Sequence, residues 1–245
     1  MYEIPKTKDN VRFLIISDLH LGNIGERMDL LYQAYEYALK NNIRYVINLG
    51  DLIDAVMPHN SNDLKISDVT KQVEYVIDNY PCVNPIKTMI LYGNHDYYSK
   101  HIFGLDVGKE ISSGRKDLYD LGYGENYVRI LDNFIKLGHE IDYYKGYKQN
   151  IETFLSFLGH YHRYKVRVVD DSIYVHAPSL SSVTVGGDKV VPALLDVNLS
   201  FHNDRIEKVS LKQIDLSQQS VLSDMQISVP SSNQKFMKIK KYFDS

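Results

Sequence analysis

The chain has 245 residues, 44% of them hydrophobic, with a formal net charge of −3. That suits one large domain, or one domain with a small appendage, and it argues against a chain held to nucleic acid by charge alone, leaving room for a local basic groove. Cys82 is the single cysteine, which excludes an intramolecular disulfide. The opening "MYEIPKTKDN" lacks the apolar stretch of a signal peptide, and no apolar run reaches the roughly 18–20 residues that span a bilayer. A cytoplasmic location without a membrane partner is therefore expected.

Residues 11–17 (VRFLIIS) are apolar on both faces and read as a buried strand. Residues 26–41 carry Met28, Leu31, Tyr32, Tyr35, Ala38 and Leu39 at helical spacing. A second strand is read over 44–49. A second helix spans 66–79, with Val69, Val73, Val76 and Ile77 on one face and Pro81 beyond it. A third strand over 86–92 completes a β-α-β-α-β order. The stretch 97–130, with five glycines among mixed charges, reads as loop with short helical turns, a lid or cap over the site. Strands follow at 133–138, 154–159, 164–169, 172–176, 190–198 and 205–212, with a short helix near 145–153. The domain is placed at 1–214. Residues 215–233, rich in Ser, Gln and Asn, read as a linker, and "KFMKIKKYF" reads as a solvated tail within 215–245.

Polar clusters recur where the apolar runs stop: Asp18 and His20 in "FLIISDLHLG", Asp51 in "YVINLGDLID", Asn94, His95 and Asp96 in "MILYGNHDYY", His139 in "KLGHEI", His160 and His162 in "FLGHYHRY". Ligands of open α/β sheets bind outside the carboxyl ends of strands. Gly50, Gly93, Gly138 and Gly159 precede four of the groups and permit tight turns or close backbone approach. Carboxylates, imidazoles and one amide, with no thiolate, suit a divalent ion such as manganese, iron or zinc. On an extended segment, the spacing of two in Asp18-x-His20 and His160-x-His162 puts each pair on one face. Seven ligands drawn from these residues are too many for one ion and suit two, with a carboxylate such as Asp51 between the ions, and such a pair clamps a phosphate ester. His59, His101, His176 and His202 read as loop, strand-end or surface residues.

In order and spacing these blocks resemble the calcineurin-like metallophosphoesterases, over residues 13–164. The resemblance implies an α/β fold of four layers, α-β-β-α: two mixed sheets flanked by helices, with a binuclear site at the strand ends. It implies a hydrolase of phosphate esters acting through a metal-bound hydroxide, diesters favoured over monoesters, on a nucleotide, a nucleic acid or another small ester. One ion would take Asp18, His20, Asp51 and His162. The other would take Asp51, Asn94, His139 and His160. Manganese is the expected metal, iron or zinc the alternatives. His95 would face the substrate as an acid, and Asp96 would orient it. Tyr161 and Glu140 depart from the family pattern, which favours small residues there. "GDLIDAV" lacks the arginine of the Ser/Thr phosphatase motif. A nuclease is the alternative reading, with Tyr97, Tyr98, Lys100, His101, Arg115 and Lys116 as its path. A non-catalytic scaffold is the rival class. The oligomeric state is left open.

Overall fold

The structure, a computed structural model, describes residues 1–6, 9–140, 151, 153–184, 186–187 and 189–229. In chain order the elements are β1 (Tyr2–Glu3), β2 (Asn10–Ile16), α1 (Met28–Lys40), β3 (Tyr45–Leu49), α2 (Val69–Asn79), β4 (Lys87–Tyr92), α3 (Asn94–Phe103), α4 (Val107–Gly114), β5 (Leu118–Tyr123), β6 (Glu125–Ile130), β7 (Asn133–Gly138), β8 (Leu155–Leu158), β9 (Lys165–Val169), β10 (Ser172–His176), β11 (Leu194–His202), β12 (Arg205–Asp215) and β13 (Ser220–Ser228). They form a seven-stranded sheet, β13-β12-β11-β2-β3-β4-β5, and a six-stranded sheet, β1-β6-β7-β8-β10-β9. Both are mixed: β2 runs parallel to β3 and antiparallel to β11, and β8 runs parallel to β7 and β10 while β9 is antiparallel to β10.

Strand β2 shows why its sequence has no polar face. Phe13 and Ile15 point into a core shared with Val128, Ile135, Leu137, Phe157 and Val175 of the six-stranded sheet. Leu14 and Ile16 point the other way, into a second core with Leu30, Leu31, Ala34 and Ala38 of α1 and Val73 and Val76 of α2. A strand buried on both sides needs an unbroken apolar run. Helix α2 begins where Asp68 accepts the N–H groups of Thr70 (2.9 Å) and Lys71 (3.1 Å), a side-chain cap for otherwise unpaired donors. The result is an α/β fold of two mixed sheets flanked by helices.

Two sequence readings change. The 97–130 stretch is not a run of loops. It holds most of α3 and all of α4, β5 and β6, and it carries the chain from the edge of one sheet into the other. Its glycines punctuate these elements: Gly104 ends α3 at φ 68°, and Gly122 and Gly124 lie at φ 81° and 75° where β5 gives way to β6. The expected linker also contains a strand. Residues 220–228 pair antiparallel with β12, from Lys208↔Ser228 to Asp215↔Ser220, after a turn in which Asp215 accepts from Ser217 and Gln218. As an edge strand with little burial on either face, β13 carries no apolar alternation to read. The "KFMKIKKYF" tail lies outside the described residues, and so does the expected helix near 145–153, apart from Ile151 and Thr153 at its end.

Candidate metal centre

Five strands converge on one point between the sheets. Asp18 and His20 follow β2, Asp51 follows β3, and Asn94 and His95 open α3 just after β4. From the other sheet, His139 follows β7, and His160 and His162 follow β8. The segment after β2 is not extended as the spacing suggested. Asp18 and His20 both have positive φ (53° and 48°), and it is pairing with the next loop that sets their direction: Asp18 N–H donates to Gly50 O and His20 N–H to Asp51 O, each at 3.0 Å. Asp51, His160 and His162 are also left-handed, at 50°, 82° and 57°. Such conformations cost about 1–3 kcal/mol each and gather where function demands them.

The glycines make this approach possible. Gly50 lies at φ 103°, and a Cβ there would collide with the His139 ring. At Gly93 a Cβ would strike Asp51 and His139. Without side chains, these two residues let β3 and β4 present their ends to a histidine from the opposite sheet.

Four imidazoles are fixed by acceptors on Nδ1. His139 Nδ1 donates to Leu49 O (2.6 Å), His162 Nδ1 to Val183 O (3.1 Å), His20 Nδ1 to Asp54 Oδ1 (2.9 Å) and His95 Nδ1 to Asp54 O (2.6 Å). Each therefore turns Nε2 inward, and in a neutral ring that atom is a lone pair. His20 Nε2 and His162 Nε2 face each other at 3.1 Å, with Asp18 Oδ1 3.5 Å from the latter. His139 Nε2 faces Asn94 Oδ1 (3.0 Å) and Asp51 Oδ2 (3.1 Å), and His160 Nδ1 lies 2.8 Å from the same Asn94 oxygen. Acceptors packed against acceptors call for protons or cations between them. Donors about 2.1 Å from one ion stand about 3 Å apart at neighbouring positions, so these spacings fit a metal. Asp18, His20 and His162 form one group of candidate ligands, and Asp51, His139 and His160 another. Asp51 reaches both: Oδ1 accepts His95 N–H at 2.9 Å, leaving Oδ2 3.1 Å from His139 Nε2 and 3.9 Å from His20 Nε2.

A family model described as calcineurin-like phosphoesterase matches residues 11–200. The chain belongs to that family. In structure the chain is similar to GAP50 of Plasmodium, described as the anchor in the inner membrane complex, with TM-score 0.54 and 10% identity over 91% of this chain and 90% of that one. Vacuolar protein sorting 29 of Cryptosporidium parvum gives TM-score 0.52 and 14% identity over 89% and 98%. At such identities the likeness concerns the fold. No curated protein matches by sequence.

The structure differs from expectation at Asp96. Its carboxylate does not hold His95. It accepts the N–H groups of Gly93 (2.8 Å), Leu52 (3.1 Å) and Ile53 (3.0 Å), because the third position of α3 turns a short acid back onto the helix start and the loop beneath it. Burial, then the nearby charge of Asp51, pushes its pKa up to about 7 against those bonds. The group that orients His95 is Asp54, through its carbonyl. Its carboxylate is tied down by His20, Asn23 (2.8 Å) and Asn60 (3.0 Å). Asp54 was missed, although a second acid three residues after Asp51 is plain in "GDLID". Burial lowers the pKa of His95 and of His162, outweighing the carboxylates beside them. Burial opposes ionisation at His139 too, but Asp51 prevails and raises it to about 9. Asp51 is held well below the carboxylate range: burial acts against this, and His139 and His95 overcome it.

The proposed nuclease path in 97–130 is largely committed elsewhere. Arg115 binds Asp117 and the carbonyls of Ile77 and Tyr80, Lys116 binds Ser112 O, and Lys100 pairs with Asp106 at 2.7 Å. Among the described residues, no helix is long and apolar enough to cross a membrane.

Proposed function

We propose that this phosphoesterase hydrolyses phosphate diesters with two divalent ions that share Asp51. The observation that supports it is the placement of Asp51 Oδ2 between two acceptor-lined groups, 3.1 Å from His139 Nε2 and 3.9 Å from His20 Nε2. Asp18, His20 and His162 would hold one ion with Asp51. Asn94, His139 and His160 would hold the other with it. When bound, the pair would supply Lewis-acid activation of the phosphoryl group and of water. Manganese is the first choice for carboxylate, amide and imidazole donors without thiolate, with iron or zinc next.

The chain's own part is positioning and proton transfer. Hydrolysis adds water across one P–O bond, and the departing alkoxide takes a proton. His95 has Nδ1 committed to Asp54 O, so Nε2 is the atom that would deliver it, from an imidazolium that Asp51 and Asp54 favour and burial opposes. That role favours diesters of poor leaving groups. A decayed scaffold would tolerate losses in this set, yet every expected donor and His95 are in place. The test is a panel of mono- and diesters with added Mn²⁺. Diesters should turn over, chelation should abolish activity, and added metal should restore it. A panel silent with Mn²⁺, Fe²⁺ and Zn²⁺ would favour the scaffold.

A further inference from the structure

The outer face of the six-stranded sheet sets rings of β10 beside cations of β9, and the metal chemistry uses neither. The path starts at Tyr161, between His160 and His162, which is 46% exposed. Its ring stands edge-on to His160, centroids 5.2 Å apart, and to His176, 5.0 Å apart. Its hydroxyl is engaged by Glu140, so the two departures from the family pattern fix one another. His176 ends β10 opposite Lys165 of β9, and Tyr174 stands opposite Arg167. Opposed residues, and residues two apart on a strand, share a face. Ile173 and Val175, of the other parity, are in the core between the sheets, so this face is the outer one.

Lys165, Arg167 and Tyr174 are exposed. Neither cation joins a salt bridge among the described residues. Their charge reaches His176, whose pKa is lowered first by burial and then by Arg167 and Lys165. Asp170 and Asp171, at the tip of the hairpin, end the positive stretch. A column of rings on β10 beside a column of cations on β9 matches a single nucleic-acid strand, whose bases stack while its phosphates meet the charges. A closed duplex keeps its base faces stacked internally. We infer that Tyr161, His176 and Tyr174, flanked by Lys165 and Arg167, form a track for single-stranded nucleic acid leading to the metal-site residues. The cleavage of such a strand rests on the phosphoesterase reading, whereas its binding does not.

The experiment is fluorescence anisotropy of the metal-free 245-residue chain with end-labelled octamers of uridylate and of thymidylate. Beside it, Mn²⁺-dependent turnover of bis(4-nitrophenyl) phosphate is measured. At least one octamer should bind, with log K falling against log salt at a slope of about −1.4, from two phosphates at about −0.7 each. The double variant Lys165→Gln/Arg167→Gln should flatten the slope to about zero, and Tyr174→Ala should weaken binding about tenfold. Both should keep the melting temperature and the aryl-ester turnover. If the protein hydrolyses the aryl ester but binds neither octamer, the track is overturned and the phosphoesterase reading stands. Binding that neither variant weakens also overturns it. Variant-sensitive binding by a protein that hydrolyses no ester supports the track and counts against the catalytic reading.

Discussion

His95 and Asp96 are adjacent, yet one faces the site and the other holds the backbone. His95→Asn should retain metal and fold. It should lose about 10²–10⁴-fold in kcat/KM on alkyl diesters, the usual contribution of a general acid, and much less on nitrophenyl diesters, whose leaving group needs no proton. An equal loss on both would make His95 a phosphate-binding group. Asp96→Ala should act on stability: it strips three backbone donors of their acceptor, at about 1–3 kcal/mol for each left buried and unpaired. Calorimetric melting checks this, and an unchanged Tm would contradict it. His139 sets a pH dependence. Its folded pKa, about 9, lies above its ordinary value, so in the metal-free protein its ion pair with Asp51 stabilises fully below about pH 6.5 and fades as pH rises through 9. Below the ordinary carboxylate range the pair weakens again, as Asp51 protonates. Metal must displace the proton of His139, so affinity should rise with pH up to about 9, with proton release measurable by calorimetry in buffers of different ionisation enthalpy. The ligating side chains were legible because each ends a strand in a residue type that apolar runs do not otherwise carry. Their orienting partners were not: Leu49 O and Val183 O are carbonyls with no side-chain signature, and the use of Asp54 depends on how the loop curls under His95.

Among the elements, buried strands and amphipathic helices were legible and edges were not. Strands β2, β3 and β4 are covered on both faces, so their composition announces them. Strand β5, at the edge of one sheet, and the adjoining β6 were lost among the glycines that separate them, and β13 is polar and exposed. Val229 is buried and Ile227 packs against the core between the sheets. Ending the chain before Ser220 should therefore cost about 3 kcal/mol, from the 1.5–3 kcal/mol that a buried aliphatic side chain contributes. For a chain of this size, that is about 6–12 °C in Tm. A true linker would leave the Tm unchanged.

At the scale of the whole molecule, two sheets deliver their strand ends to one point, and neither sheet alone completes the site. Asp18, His20, Asp51 and Asn94 come from the seven-stranded sheet, and His139, His160 and His162 from the six-stranded one. Metal binding should therefore tie the sheets together and raise Tm, and the rise should vanish with chelator. Asp51, whose second carboxylate oxygen faces both groups, is the residue on which the two-ion reading turns. The most direct test is the metal content of Mn²⁺-reconstituted protein, measured by mass spectrometry for the parent chain and for Asp51→Asn under the same buffer exchange. Two ions per chain are expected in the parent, and weakened retention of both in the variant. A parent that saturates at one ion, or a variant that keeps both as tightly as the parent, would contradict a shared Asp51.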